Sequence, residues 1–102
     1  MYEQEMAALL KKMGVVEADV LAKVMVEIAE EHKRQRKLWP IKFDDGNNAY
    51  EWAGYLMKVF GEGLSGYPTD PKLFRKKTVH STAMLLAAVL AVDRNPQNVI
   101  RK

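Results

Sequence analysis

Acidic and basic residues recur at spacings suited to holding a phosphate or a cation. Glu27 and Glu31 lie one turn apart on a helix and so share a face; the same spacing pairs them with Lys23, Arg34 and Gln35, and that surface pairing is the expectation. The run His32-Lys33-Arg34-Gln35-Arg36-Lys37, and Lys72 with Arg75, Lys76 and Lys77, form basic stripes near aromatics, a pattern that can track a phosphate backbone. Acids elsewhere nearly balance them and there is no helix-turn-helix spacing, so solvated helix ends are the simpler expectation. Two cations early in a helix oppose its dipole, so Lys76 and Lys77 need another reason to be there, such as a neighbouring Glu62. His80 reads as a satisfied interior histidine. Asp44, Asp45 and Asn47 suit a polar turn and lack the glutamate that a calcium loop carries at its twelfth position. Trp39 and Trp52 read as core aromatics, with base stacking as a second use for Trp39.

Helices must position these residues. Tyr2, Met6, Leu9, Leu10 and Met13 recur at helical spacing, and Gly14 suits the cap that ends them. A longer helix is expected from about Glu17 to Leu38. Val20, Leu21, Val24, Ile28, Gln35 and Leu38 mark one face and Lys23, Glu27, Glu30 and Arg34 another. Pro40 stops it, and a loop is expected from Pro40 to Asn47. Asn48 with Glu51 is a capping-box start for a helix that buries Trp52, Ala53, Leu56, Val59 and Phe60. Glu51, Tyr55, Lys58 and Glu62 occupy its other face, and Gly61, Gly63 and Gly66 end it. Tyr67 to Asp70 is a second connection. Asp70 caps, and Pro71 begins, a helix running to about Asp93, where Asn95-Pro96 breaks it. Its second half is apolar nearly all round, with Ala83, Ala87, Ala88 and Ala91 among Met84, Leu85, Leu86, Val89 and Leu90. Three other helices can scarcely cover such a helix, which implies an oligomer, a dimer or tetramer.

Composition sets outer limits. A chain of 102 residues, 48% hydrophobic and 28% charged, supports one folded domain over residues 1–102 and is unlike a disordered one. Without cysteine there are no disulfides, thiolate zinc sites or cysteine nucleophiles. The longest apolar run, Ala83 to Val92, is far short of the roughly 20 residues that span a bilayer. The mixed-charge start, with Glu3 and Glu5, lacks the plan of a signal peptide, so a cytoplasmic location is expected. The formal charge of +3 suggests tolerance of anions more than a dedicated DNA surface.

Several segments in order carry a resemblance: Glu31 and Gln35, Leu38-Trp39-Pro40, Glu51-Trp52, Gly61-Glu62, and the alanine-rich stretch from Val79 to Val92. Over roughly residues 20–94 the chain resembles the MazG-like proteins of the all-α nucleoside triphosphate pyrophosphohydrolase superfamily. The resemblance implies an all-α antiparallel bundle of about four helices, and the apolar helix adds the expectation that oligomerisation completes it. It also implies cleavage of a nucleoside triphosphate between its α- and β-phosphates, with magnesium held by paired carboxylates on two helices. Magnesium takes hard oxygen ligands, and two such ions clamp phosphate oxygens and activate water. Aligned on Gly61-Glu62, only Glu62 keeps its carboxylate. Val59 and Lys58 stand near the other position of the first pair, and Lys77 and His80 stand at the second pair. Residues 72 to 92 contain no carboxylate at all.

The resemblance therefore implies a catalytically degenerate relative that binds a nucleotide or another phosphorylated anion. Its candidate ligand contacts are Gln35, Lys37, Trp39, Lys58, Lys77 and His80, with lysine and histidine meeting the acid by charge-assisted hydrogen bonds. An active magnesium-dependent enzyme would rely on the residual carboxylates Glu27, Glu31 and Glu62, with Glu62 as metal ligand. A third possibility is a helical module binding nucleic acid or a protein through the basic stripes.

Overall fold

The computed structural model describes residues 2–65 and 69–101; Gly66 and the start of the expected second connection, Tyr67 and Pro68, lie outside the described residues. The fold is all-α, with no strand among the described residues: α1 (Tyr2–Lys12), α2 (Ala18–Leu38), α3 (Ile41–Asp45), α4 (Ala49–Glu62), α5 (Pro71–Arg94) and α6 (Pro96–Ile100). None of these helices is long and apolar enough to cross a membrane.

The turn between α1 and α2 follows from Gly14. At φ +79° it occupies the left-handed region that favours glycine. The Val15 N–H donates to Leu10 O and the Gly14 N–H to Lys11 O, both at 3.0 Å, the paired bonds of a Schellman cap. Val15 then packs against the cluster of Ala7, Leu10, Ala18 and Ala22 that joins the two helices. On α2 two alanines, Ala18 and Ala22, and Gln35 define the buried face. Of the expected apolar face Gln35 is therefore buried, Val24 and Ile28 are half-buried, and Val20, Leu21 and Leu38 are exposed.

Between Pro40 and Asn47 the chain forms α3 in place of the expected loop. Pro40, in extended backbone, precedes its first turn, where the Phe43 and Asp44 N–H groups donate back to Pro40 O. The capping box that opens α4 is present: Glu51 N–H donates to Asn48 Oδ1 at 2.8 Å and Asn48 N–H to Glu51 Oε1 at 3.0 Å. Asp70 caps α5 by accepting from the Lys72 N–H at 2.9 Å, with Pro71 in the first turn. The break at Asn95-Pro96 holds, but Pro96 starts a further short helix, α6, because proline suits a first helical turn. Six helices thus replace the expected four or so, the two extra being five-residue segments.

Helix α5 is the axis of the fold, in contact with α2, α3, α4 and α6. Its inner stripe is Ala83, Ala87 and Ala91, one turn apart and almost wholly buried, with Ser81 beside it. Such small side chains allow helix backbones to approach closely. Where α4 ends, the approach to α5 is close: a Cβ on Gly63 would lie 3.0 Å from Lys77 Cβ and 3.2 Å from Phe60 O. Gly63→Ala is expected to cost about 1 kcal/mol, the low end of overpacking penalties, read as a lower urea midpoint at unchanged slope.

Helix α4 keeps its expected orientation in part. None of its residues is buried; Trp52, Leu56 and Val59 are half-buried, and Ala53 and Phe60 are exposed. Its inward side combines residues from both expected faces, because Trp52, Tyr55, Val59 and Glu62 recur at spacings of three and four and share one stripe.

Candidate functional site

That stripe forms one wall of a cavity of about 380 Å³ at the junction of α2, α3, α4 and α5. From α2 and its end come His32, Gln35, Arg36 and Trp39, a helical face by their spacing. Phe43 and Asp44 come from α3, Trp52, Tyr55, Lys58, Val59 and Glu62 from α4, and His80, Met84 and Ala87 from α5. The volume falls within the range of small-molecule sites, roughly 300–1,000 Å³.

Aromatic rings dominate one side. Trp39 and Phe43 have centroids 4.8 Å apart, and Phe43 and Tyr55 are 6.1 Å apart, each pair tilted by 31°. Both are contact distances for aromatic pairs. The indole Nε1 of Trp52 and the Nδ1 of His32 are buried without a hydrogen-bond partner. Buried polar atoms are nearly always satisfied, so these two nitrogens are exceptions within residues that line the cavity.

The charges around the cavity are largely spoken for. Arg36 Nη1 donates to Asp44 Oδ2 at 2.7 Å and to Trp39 O at 3.2 Å. Asp44 is only 5% exposed, so this pair is structural as well as part of the wall. Glu62 accepts from Lys77 Nζ at 3.2 Å, which supplies the partner that the lysine at this place in α5 called for. Lys58 makes no ion pair or side-chain hydrogen bond among the described residues and is the cation the wall leaves over.

Behind the wall, Glu31 accepts both Arg34 Nε and Nη2, at 2.9 and 2.7 Å, and Gln35 Nε2 at 2.9 Å. The Arg34 guanidinium is the main reason its carboxyl sits below the ordinary value, with the Gln35 amide adding to it against the opposing effect of burial. The Gln35 amide also donates to His80 O at 3.0 Å and so ties α2 to α5. Its amide hydrogens are engaged by the fold.

His80 Nε2 lies 3.9 Å from Glu31 Oε2. Burial pushes the imidazole below its ordinary 6.5, and Arg34 and Lys77 add to this, while Glu31 and Glu62 oppose it. His80 is therefore neutral at pH 7, and its approach to Glu31 is not an ion pair there. As pH falls through 6.5, the unfolded chain takes up the proton before the folded one, so folding loses stability. Glu31 and Glu27, held below 4.5, add a further loss below that value. The urea midpoint is expected to fall from about pH 7 to about pH 5, and His80→Gln to flatten that fall.

The cavity thus gathers Gln35, Trp39, Lys58, Glu62 and His80 from the candidate residues, and Lys77 reaches its edge through Glu62. Lys37 is exposed and does not line it. Glu27 opens onto a separate groove, where Arg75 donates to both its oxygens at 2.7 Å. Arg75 on α5, and not the neighbouring Lys23, is the ion-pair partner of Glu27, and its guanidinium holds that carboxyl below the ordinary value. Phe43, Tyr55, His32 and the Arg36–Asp44 pair were not among the expected ligand contacts, although His32 and Arg36 belong to the first basic run. The 32, 35, 36, 39 spacing is the signal that marks the α2 side.

The donors do not fit a pair of magnesium ions. Glu27, Glu31 and Glu62 are each engaged by a cation, from Arg75, Arg34 and Lys77, and no three His, Asp or Glu side chains cluster as a metal-binding group among the described residues. What the cavity can do is hold a flat ring against aromatic side chains and an acidic group against Lys58. No protein-family model matches the chain, and no curated protein or solved structure matches it.

Proposed function

We propose that the chain is a MazG-like relative of the nucleoside triphosphate pyrophosphohydrolases that binds a nucleotide or another phosphorylated anion without efficient hydrolysis. The observation carrying this is the aromatic-walled cavity with Lys58 as its spare cation. A base stacks on Trp39, Phe43 or Tyr55, a geometry worth roughly 1–3 kcal/mol per base in proteins that use it. The phosphate meets Lys58 directly, by a charge-assisted hydrogen bond in place of a bridging metal. The lining carboxylates Asp44 and Glu62 disfavour a highly charged ligand, so a single phosphate suits the cavity better than three. A cytoplasmic location and self-association belong to the same proposal.

The basic stripes support a nucleic-acid module less well. His32, Gln35 and Arg36 turn into the cavity and Arg34 is bound to Glu31, so the run does not present one continuous basic face. The second stripe shares its groove with Glu27, Glu30 and Glu31.

Both tryptophans line the cavity, so their fluorescence reports occupancy. Titration with nucleoside mono-, di- and triphosphates, with and without magnesium, is expected to give saturable quenching, tightest for the monophosphate and independent of magnesium. Pyrophosphate release from a triphosphate, abolished by Glu62→Ala, would overturn the non-catalytic assignment. Salt-sensitive binding of oligonucleotides with no response to mononucleotides would favour the module.

A further inference from the structure

Helix α3 supplies Phe43 and Asp44 to the cavity wall, yet little apolar packing holds it there. Its five residues are far too few for a helix that stands on propensity alone. Its one buried side chain is the carboxylate of Asp44, while Ile41 and Phe43 are 49% and 37% exposed. Polar ties must therefore do much of the holding.

Those ties come from two directions. Arg36 on α2 binds Asp44 from one side. The other side-chain hydrogen bonds to α3 and Gly46 among the described residues all come from the segment 94–101. Arg94 donates Nε and Nη2 to Asp45 Oδ1, at 2.9 and 2.6 Å. The Asn98 amide donates to Asp45 O, and Arg101 Nη2 to Gly46 O. These carbonyls stand at the end of α3, where a helix leaves its last C=O groups unpaired and favours donors and positive charge. Arg101 Nη2 also lies 3.8 Å from Glu51 Oε1, the oxygen that closes the capping box of α4. The chain leaves α5 at Asn95, and α6 then packs on α5. The segment thus runs from α5 to the corner between α3 and α4.

We propose that residues 94–101 are a strap that sets the α3 wall of the cavity, with Arg94, Asn98 and Arg101 as positioning residues. None of the three lines the cavity; they act through Asp45 and Gly46 on Phe43 and Asp44, which do. Phe43 is the ring in contact with both Trp39 and Tyr55, so a shift of α3 disturbs both aromatic pairs at once. The effect on ligand affinity rests on the nucleotide reading above, whereas the hold on α3 does not.

Amide hydrogen exchange of the full, ligand-free chain tests the hold. The N–H groups of Phe43, Asp44, Gly46 and Asn47 are bonded within the α3 turn and report its opening. Severing the strap with Arg94→Gln, Asn98→Ala and Arg101→Ala together is expected to speed their exchange at least roughly tenfold, with Ala22 and Ala87 unchanged. Restoring Arg94 alone is expected to recover part of the protection, and Gln97→Ala, an exposed neighbour, to change nothing. The severed variant is also expected to bind adenosine monophosphate at least roughly threefold more weakly, because the competent wall is less populated. Unchanged α3 exchange overturns the strap, and equal acceleration of α2 and α5 reduces it to a general support of the fold. Faster α3 exchange with unaltered affinity overturns the positioning role and leaves the nucleotide reading standing. If wild type ignores adenosine monophosphate while α3 alone exchanges faster, the strap is supported and the nucleotide reading falls.

Discussion

Arg36→Met is expected to lower folding stability by about 3 kcal/mol, the lower end of the cost of removing one partner from a buried ion pair. Asp44 would lose its 2.7 Å contact in a site only 5% exposed, with Arg94 acting on it only by longer-range charge attraction. The estimate stays at the low end because the Arg36 side chain is 25% exposed, which lets water soften the loss. Against a total stability of about 5–15 kcal/mol for a domain, this is a large fraction. Adding Asp44→Leu removes the stranded charge as well, and the double variant is expected to regain most of the lost stability. Urea denaturation of the two single variants and the double variant gives the coupling directly. If Arg36→Met costs less than the roughly 0.5 kcal/mol typical of a surface change, the pair does not brace the cavity wall.

Lys58→Glu is expected to raise the dissociation constant for a nucleoside monophosphate about a hundredfold, or about 2.7 kcal/mol. A hydrogen bond to a charged group contributes roughly 1.5–3 kcal/mol, and the new carboxylate adds repulsion. Lys58 has no ion-pair partner among the described residues, so the variant is expected to keep its thermal midpoint. That separates loss of binding from loss of structure. Trp39→Ala should weaken binding by removing a stacking surface, while Lys37→Ala, outside the cavity, should not. Equal affinities for Lys58→Glu and wild type would remove the cavity from consideration as the anion site.

Local chemistry made much of the fold legible. The capping box at Asn48 and Glu51, the Asp70-Pro71 start and the Gly14 stop each depend on residues within a turn of one another, and all three are present. Orientation was harder to read. On α4, hydrophobicity separates Tyr55, Lys58 and Glu62 from Trp52 and Val59, yet the spacing that counts in three dimensions unites them around a partly polar cavity. On α2 the expected face is right at Gln35 and half right at Val24 and Ile28, but close helix packing buries Ala18 and Ala22 while Val20, Leu21 and Leu38 stay exposed. Short helices such as α3 and α6 depend on distant partners. Asp45 in α3 accepts from Arg94 at 2.6 Å, and its carbonyl accepts from the Asn98 amide, contacts between residues about fifty positions apart. No local pattern encodes them.

The alanine stripe of α5 bears on how this protein tolerates change. Where the innermost positions are alanines, the usual ordering of mutational sensitivity by side-chain size is reversed. Enlarging Ala22 or Ala83, each with no exposed surface, forces two helix backbones apart, whereas trimming Tyr50 or Met57, each more than 70% exposed, removes little from the fold. Sequence drift in such a scaffold can rewrite the large residues and their surfaces while the smallest ones stay fixed. New ligands and new partners can then be acquired on an unchanged backbone.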